Sequence, residues 1–152
     1  MNNLVLCLRS DKAENKIPAM NCIIFLAKTA ESRGQLQHYD VFSIVVGNMV
    51  KAVPEKDWPV ALAAISALTF FASDRAYRVL LSNANQMFNF YETLLSCIQG
   101  QVSAQGIEVP PPTRFAAAVI ISKMLADKDL VGIQEAIMKE GVLTHLGRGL
   151  RD

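Results

Sequence analysis

The chain has 152 residues, enough for one domain with a true core. Hydrophobic residues make up 51% and charged residues 19%, which excludes a disordered chain and leaves apolar surface to be covered by something else. With 15 basic and 14 acidic residues the charge is nearly balanced, which argues against nucleic acid, since that needs a dense basic stripe. A nucleic-acid-binding helical domain, with only Lys28 and Lys123 as candidate contacts, is the lesser alternative.

The first stretch, Asn3 to Arg9, reads as the tail of a helix, so the chain is expected to open inside a structural unit. Ser10-Asp11 is a plausible cap, with Glu14 completing a capping box, for a helix running to about Ala30. Pro18 inside it predicts a fresh helical start, since proline is tolerated only in a first turn. Gly34 is expected to end this segment as a C′ residue, followed by a short helix over about Gln35 to His38. Val41, Phe42, Val45, Met49 and Val50 then recur at helical spacing up to Ala52.

Pro54 to Asp57 reads as a turn, with Asp57 as N-cap and Pro59 in the first turn of an Ala-rich helix over Trp58 to Ala72. A short helix over Asp74 to Leu81 and a link over Ser82 to Asn85 precede a second apolar run, Asn85 to Ile98. Residues 99–112 carry Gly100, Gly106 and three consecutive prolines, and read as an inserted loop. Pattern returns with Phe115, Ala118, Ile121 and Leu125 on one side, then a turn at Asp127 to Asp129. Helices over Leu130 to Lys139 and Val142 to Leu150 follow, separated at Gly141.

These segments repeat. A shift of 42 residues carries Trp58–Ala72 onto Lys16–Ala30, and a shift of 54 carries it onto Pro112–Ala126. A shift of 45 carries Phe42, Val45, Met49 and Val50 onto Met87, Phe90, Leu94 and Leu95. Helical units of about 40 residues are the signature of a stacked α-solenoid. The expected units are a partial repeat over 1–10, repeats over about 11–52, 53–98 and 113–152, and the loop between the last two. On the 42-residue shift Cys22 matches Ala64 and is expected to be a small core residue, with Ala118 as the third member of the site. Arg33 likewise matches Arg75, each expected to cap a helix end or pair with Glu31 or Asp74.

Glu135 to Leu146 resembles the corner between the first and second helices of an armadillo repeat, and Ala63 to Ala72 resembles its third helix. The likeness covers nearly the whole chain, about three and a half repeats, and HEAT repeats share much of the pattern. It implies an all-α, right-handed solenoid whose third helices line a concave surface. In the family's peptide-carrying import receptors a Trp and an Asn lie one turn apart there. The matching positions here are Ile24, Ser66 and Ile120 for the Trp, and Lys28, Phe70 and Met124 for the Asn. None carries the family residue, so the resemblance implies a general protein-binding solenoid rather than that peptide clamp.

Each pair is one helical turn apart and shares a face. Stacking would set Ile24, Lys28, Ser66, Phe70, Ile120 and Met124 side by side as a patch for a partner protein, peptide or amphipathic helix with an acid facing Lys28. The alternative makes the same stripe core. Self-association through the ends is also expected, because terminal repeats leave an apolar face. No phosphate loop, GxSxG or HExxH motif is present, so an enzyme is not expected. The two histidines, 107 residues apart, suggest no metal site, and no cofactor is implied. The longest apolar run has 15 residues, short of a membrane span, and the start lacks a basic leader, so an intracellular setting is expected.

Overall fold

The computed structural model describes residues 2–38, 40–88, 90–99 and 109–127. Over these the chain is all-helical: α1 (Asn2–Arg9), α2 (Ala13–Leu26), α3 (Ala30–His38), α4 (Val41–Ala52), α5 (Trp58–Phe71), α6 (Arg75–Phe88), α7 (Phe90–Gln99) and α8 (Pro111–Leu125). The expected helices over Leu130–Lys139 and Val142–Leu150, the Gly141 corner and most of the inserted loop lie outside the described residues.

Packing follows two series. Helices α2, α5 and α8 pack one on the next, and α1, α4 and α7 touch in the same order. Each member of the first series also packs on one of the second: α1 on α2, α4 on α5, α7 on α8. The middle helix α5 is therefore enclosed on three sides, which is why its sequence is apolar nearly all round. Val60, Ala61, Ala63, Ala64, Ile65, Ala67, Leu68 and Phe71 are all buried there. Small residues let neighbouring backbones approach, and the branched ones fill the space between.

Local signals explain the helix ends. Proline is placed at the start of α5 and α8, where its missing N–H costs nothing. Thr29 Oγ1 accepts from Ser32 N (3.3 Å) at the start of α3, and Asp74 Oδ1 accepts from Ala76 N (3.1 Å) at the start of α6. Between α4 and α5, Lys56 adopts a left-handed φ of 61°, and Asp57 N donates back to Ala52 O (3.0 Å), closing the turn.

Several expectations are corrected. Pro18 lies inside an uninterrupted α2 rather than opening a new segment, and the residue preceding α2 is Lys12 rather than Asp11. Gly34 lies inside α3: Thr29 starts that helix several residues early, and a Cβ built at Gly34 meets nothing within 4 Å. Ser82 to Asn85 belongs to α6, which runs through to Phe88. Phe115 is 61% exposed instead of sharing the buried side of Ala118 and Ile121.

The largest correction is the register. The C-cap residues of the long helices α2, α5 and α8 are Ala27, Ala72 and Ala126, spaced by 45 and 54 residues. The first interval is therefore 45, not 42, in agreement with the shift that relates α4 to α7. Ala19, not Cys22, is the counterpart of Ala64 and Ala118, and all three are buried. Cys22 is exposed.

Candidate functional site

One device recurs at the ends of the long helices. Arg33 Nη1 donates to the carbonyl of Ala27 (2.8 Å), six residues back, and Arg78 Nη1 donates to the carbonyl of Ala72 (3.0 Å), again six residues back. Each guanidinium satisfies a helix-end carbonyl and sits at the negative end of the helix dipole. Each then reaches forward to an acid just beyond the next long helix. Arg33 Nη2 lies 3.6 Å from Asp74 Oδ2, and Arg78 Nε donates to Asp127 Oδ2 at 2.9 Å. Tyr77 fastens the first junction, its hydroxyl donating to Arg33 O at 2.6 Å while its ring packs on Phe42 and Phe71. Arg33 thus caps a helix end and pairs with Asp74, as expected. Its structural counterpart is Arg78, not Arg75.

The 45- and 54-residue register sorts the surface of the long helices. Residues Lys16, Met20 and Ile23 of α2 correspond to Ala61, Ile65 and Leu68 of α5, all of them buried. Pro18, Cys22 and Phe25 of α2 correspond to Ala63, Ala67 and Phe70 of α5, and to Ala117, Ile121 and Met124 of α8. That row is exposed on α2, mostly buried on α5 and fully buried on α8. Between them runs a half-exposed strip, Ile24 with Thr69 and Lys123, flanked by Lys28 and Ser73.

The six residues expected to form a patch separate accordingly. Lys28 is exposed, and Ile24, Ser66 and Phe70 are half-buried. Ile120 and Met124 have 0% of their surface exposed and belong to the core, so they are withdrawn from the patch. Lys28 and Phe70 do come together: the ammonium lies 5.9 Å from the Phe70 ring centroid, and also 5.9 Å from that of Phe25. A cation over an aromatic face at this range is attracted by the ring quadrupole. Phe25 was missed because the shorter shift paired Lys28 with Phe70 and set Phe25 against Ala67, whereas the 45-residue step sets it against Phe70. At the other side of the strip Lys123 Nζ donates to Thr69 O (3.1 Å) and Ser73 Oγ (2.7 Å). Two ammonium groups therefore border a half-apolar strip.

Burial lowers the Lys123 pKa, helped by the nearby Arg78 charge. Burial likewise raises that of Tyr77, with Asp74 adding to the rise and Arg33 opposing it. Deeper in, burial pushes the Cys97 thiol up to about 12 from an ordinary 9.0, outweighing the opposing hydrogen bond to Ser96. A thiol held neutral does not react, since the thiolate is the nucleophile. At about pH 8, near the ordinary thiol range, and at high dilution, a maleimide should label Cys22, exposed in the single chain, rapidly and leave the buried Cys97 untouched until the chain unfolds. Stability has the matching sign. Above pH 9.0 the unfolded chain loses the Cys97 proton while the folded chain keeps it to about 12, so stability should fall across that window. Cys97→Ala should flatten this part of the alkaline fall in urea midpoints; an unchanged slope would assign the loss to other groups.

Among the described residues no group of three or more His, Cys, Asp or Glu is placed to hold a metal ion. No helix among them is long and apolar enough to cross a membrane. Compared with family models, curated proteins and solved structures, the chain matches none.

Proposed function

We propose that this chain is a non-enzymatic protein-interaction module, an armadillo-like right-handed solenoid, which binds a short apolar segment carrying an acidic residue along its long helices. The observation that carries the reading is the Lys28 ammonium poised over Phe70 on the neighbouring long helix, beside half-exposed Ile24 and Ser66. An amphipathic helix or an extended motif would lay its apolar residues on Ile24 and Phe70. Its carboxylate would meet Lys28, and a second acid would meet Lys123. The serial packing of α2, α5 and α8 supports the solenoid part of the reading.

Panning a displayed library of short random peptides against the purified protein tests this. Selected peptides should pair an apolar or aromatic residue with Asp or Glu. Lys28→Glu should weaken them about tenfold or more, the loss expected for one charge-assisted contact of about 1.5 kcal/mol. Phe70→Ala should weaken them further, as anchor truncations do. Peptides without acidic enrichment, or binding indifferent to both substitutions, would reject the surface.

A further inference from the structure

We infer that the face of α2 carrying Pro18, Cys22 and Phe25 is a dimerisation surface, occupied by α2 of a second copy running antiparallel across a twofold axis. The register shows what such a face is for. Its counterparts are mostly buried on α5 and fully buried on α8, helices that each have a long helix packed before them. On α2 the same row stands open, with Phe25 72% exposed. A helix is therefore the shape that this face accepts.

Charge selects which helix and which direction. Glu14 lies at one end of α2 and Lys28 just beyond the other, both exposed. A parallel neighbour of the same sequence would set Glu14 against Glu14 and Lys28 against Lys28. An antiparallel one, centred beside Cys22, sets Glu14 within a residue of the partner's Lys28, an offset of about 1.5 Å along the axis. The same register places Pro18 opposite the partner's Phe25, and Cys22 next to the axis, where a small side chain allows close approach.

A hole waits for the ring. An open, mainly apolar trough of about 330 Å³ runs between α1 and α2, with Leu4, Cys7, Glu14, Pro18, Ala19 and Cys22 among its lining residues. An apolar cavity of ~150 Å³ holds benzene, so the trough has room for a phenyl group. Twofold symmetry inserts Phe25 of each copy into the trough of the other, giving two knobs, two holes and two Glu14–Lys28 pairs. A closed, self-complementary contact of this kind ends at the dimer and does not propagate as a fibre.

Sedimentation velocity and light scattering over a concentration series test the inference. The full chain should be a dimer, and Phe25→Asp should weaken association about thirtyfold or more, the loss of an interface anchor. The ring is exposed in the single chain, so at concentrations low enough to keep both chains monomeric the thermal melt should not move. Glu14→Lys should also weaken the dimer, and adding Lys28→Glu should restore it by reversing both members of each pair. A short bis-maleimide should join Cys22 to the partner's Cys22. A monomer at about 1 mM, association indifferent to Phe25→Asp, a double variant no better than Glu14→Lys alone, or no link through Cys22 would each overturn it. Lys28 faces the partner's Glu14 only in the dimer, so peptide binding measured on the monomeric Glu14→Lys chain, where Lys28 is left to the peptide's acid, reports on the proposed function independently.

Discussion

Phe71→Ala is expected to cost about 3 to 5 kcal/mol, the range for emptying a buried aromatic site. The ring is fully buried, meets Phe42 edge-on at 5.6 Å and 76°, and lies 4.8 Å from Tyr77. Removing it opens a cavity between two helices and loosens the ring that carries the Tyr77 hydroxyl to Arg33. Against a typical total of about 5 to 15 kcal/mol, that is a large fraction. Urea unfolding should show a lowered midpoint with an unchanged slope. Phe25→Ala, measured at concentrations low enough to keep the chain monomeric, should stay within about 0.5 kcal/mol, since that ring is exposed. Equal losses for the two would mean that Phe71 does not hold the centre of the fold.

Arg78→Met is expected to cost about 3 kcal/mol, at the low end of the range for breaking a buried pair because Arg78 keeps some exposure. Its side chain is 19% exposed and that of Asp127 is 7% exposed. The variant keeps most of the apolar stem but strands the Ala72 carbonyl and removes the charge facing Asp127. Loss of the Arg78 charge should also let the Lys123 pKa rise back towards its ordinary value, since that charge is one cause of its lowering. Nitrogen-detected titration of Lys123 reads this directly. An unmoved Lys123, or a stability loss no larger than that of exposed Arg75→Ala, would detach the junction from the fold's energetics.

Much of the architecture was legible in apolar spacing: the extents of α4 and α5, the match of α4 to α7, and the 54-residue step all follow from it. The 42-residue step failed for a physical reason. Three residues turn an α-helix by nearly a full revolution, so two apolar stripes slipped by three still superpose well. Hydrophobic pattern alone cannot separate 42 from 45. The polar punctuation can: an Ala at the helix end with an Arg six residues later occurs at Ala27/Arg33 and Ala72/Arg78 and requires 45. Thr29 and Asp74, also 45 apart, mark the next helix start in both units. The site suffered from the same slip. Lys28 and Phe70 were found because adjacent helices bring them together anyway. Ile120 and Met124 were misassigned because a residue's exposure depends on its place in the stack, which no single helix reveals.

The arginine junctions also bear on how such a chain tolerates change in length. The step from α5 to α8 is nine residues longer than the step from α2 to α5, and six of the nine lie in the link between α7 and α8, upstream of the helix whose far end supplies Asp127. Both partners of each junction are counted from helix ends, so the stretch before a long helix can lengthen without altering which Arg meets which Asp. Residues added to or removed from that stretch should therefore leave both arginine junctions with the fit they have.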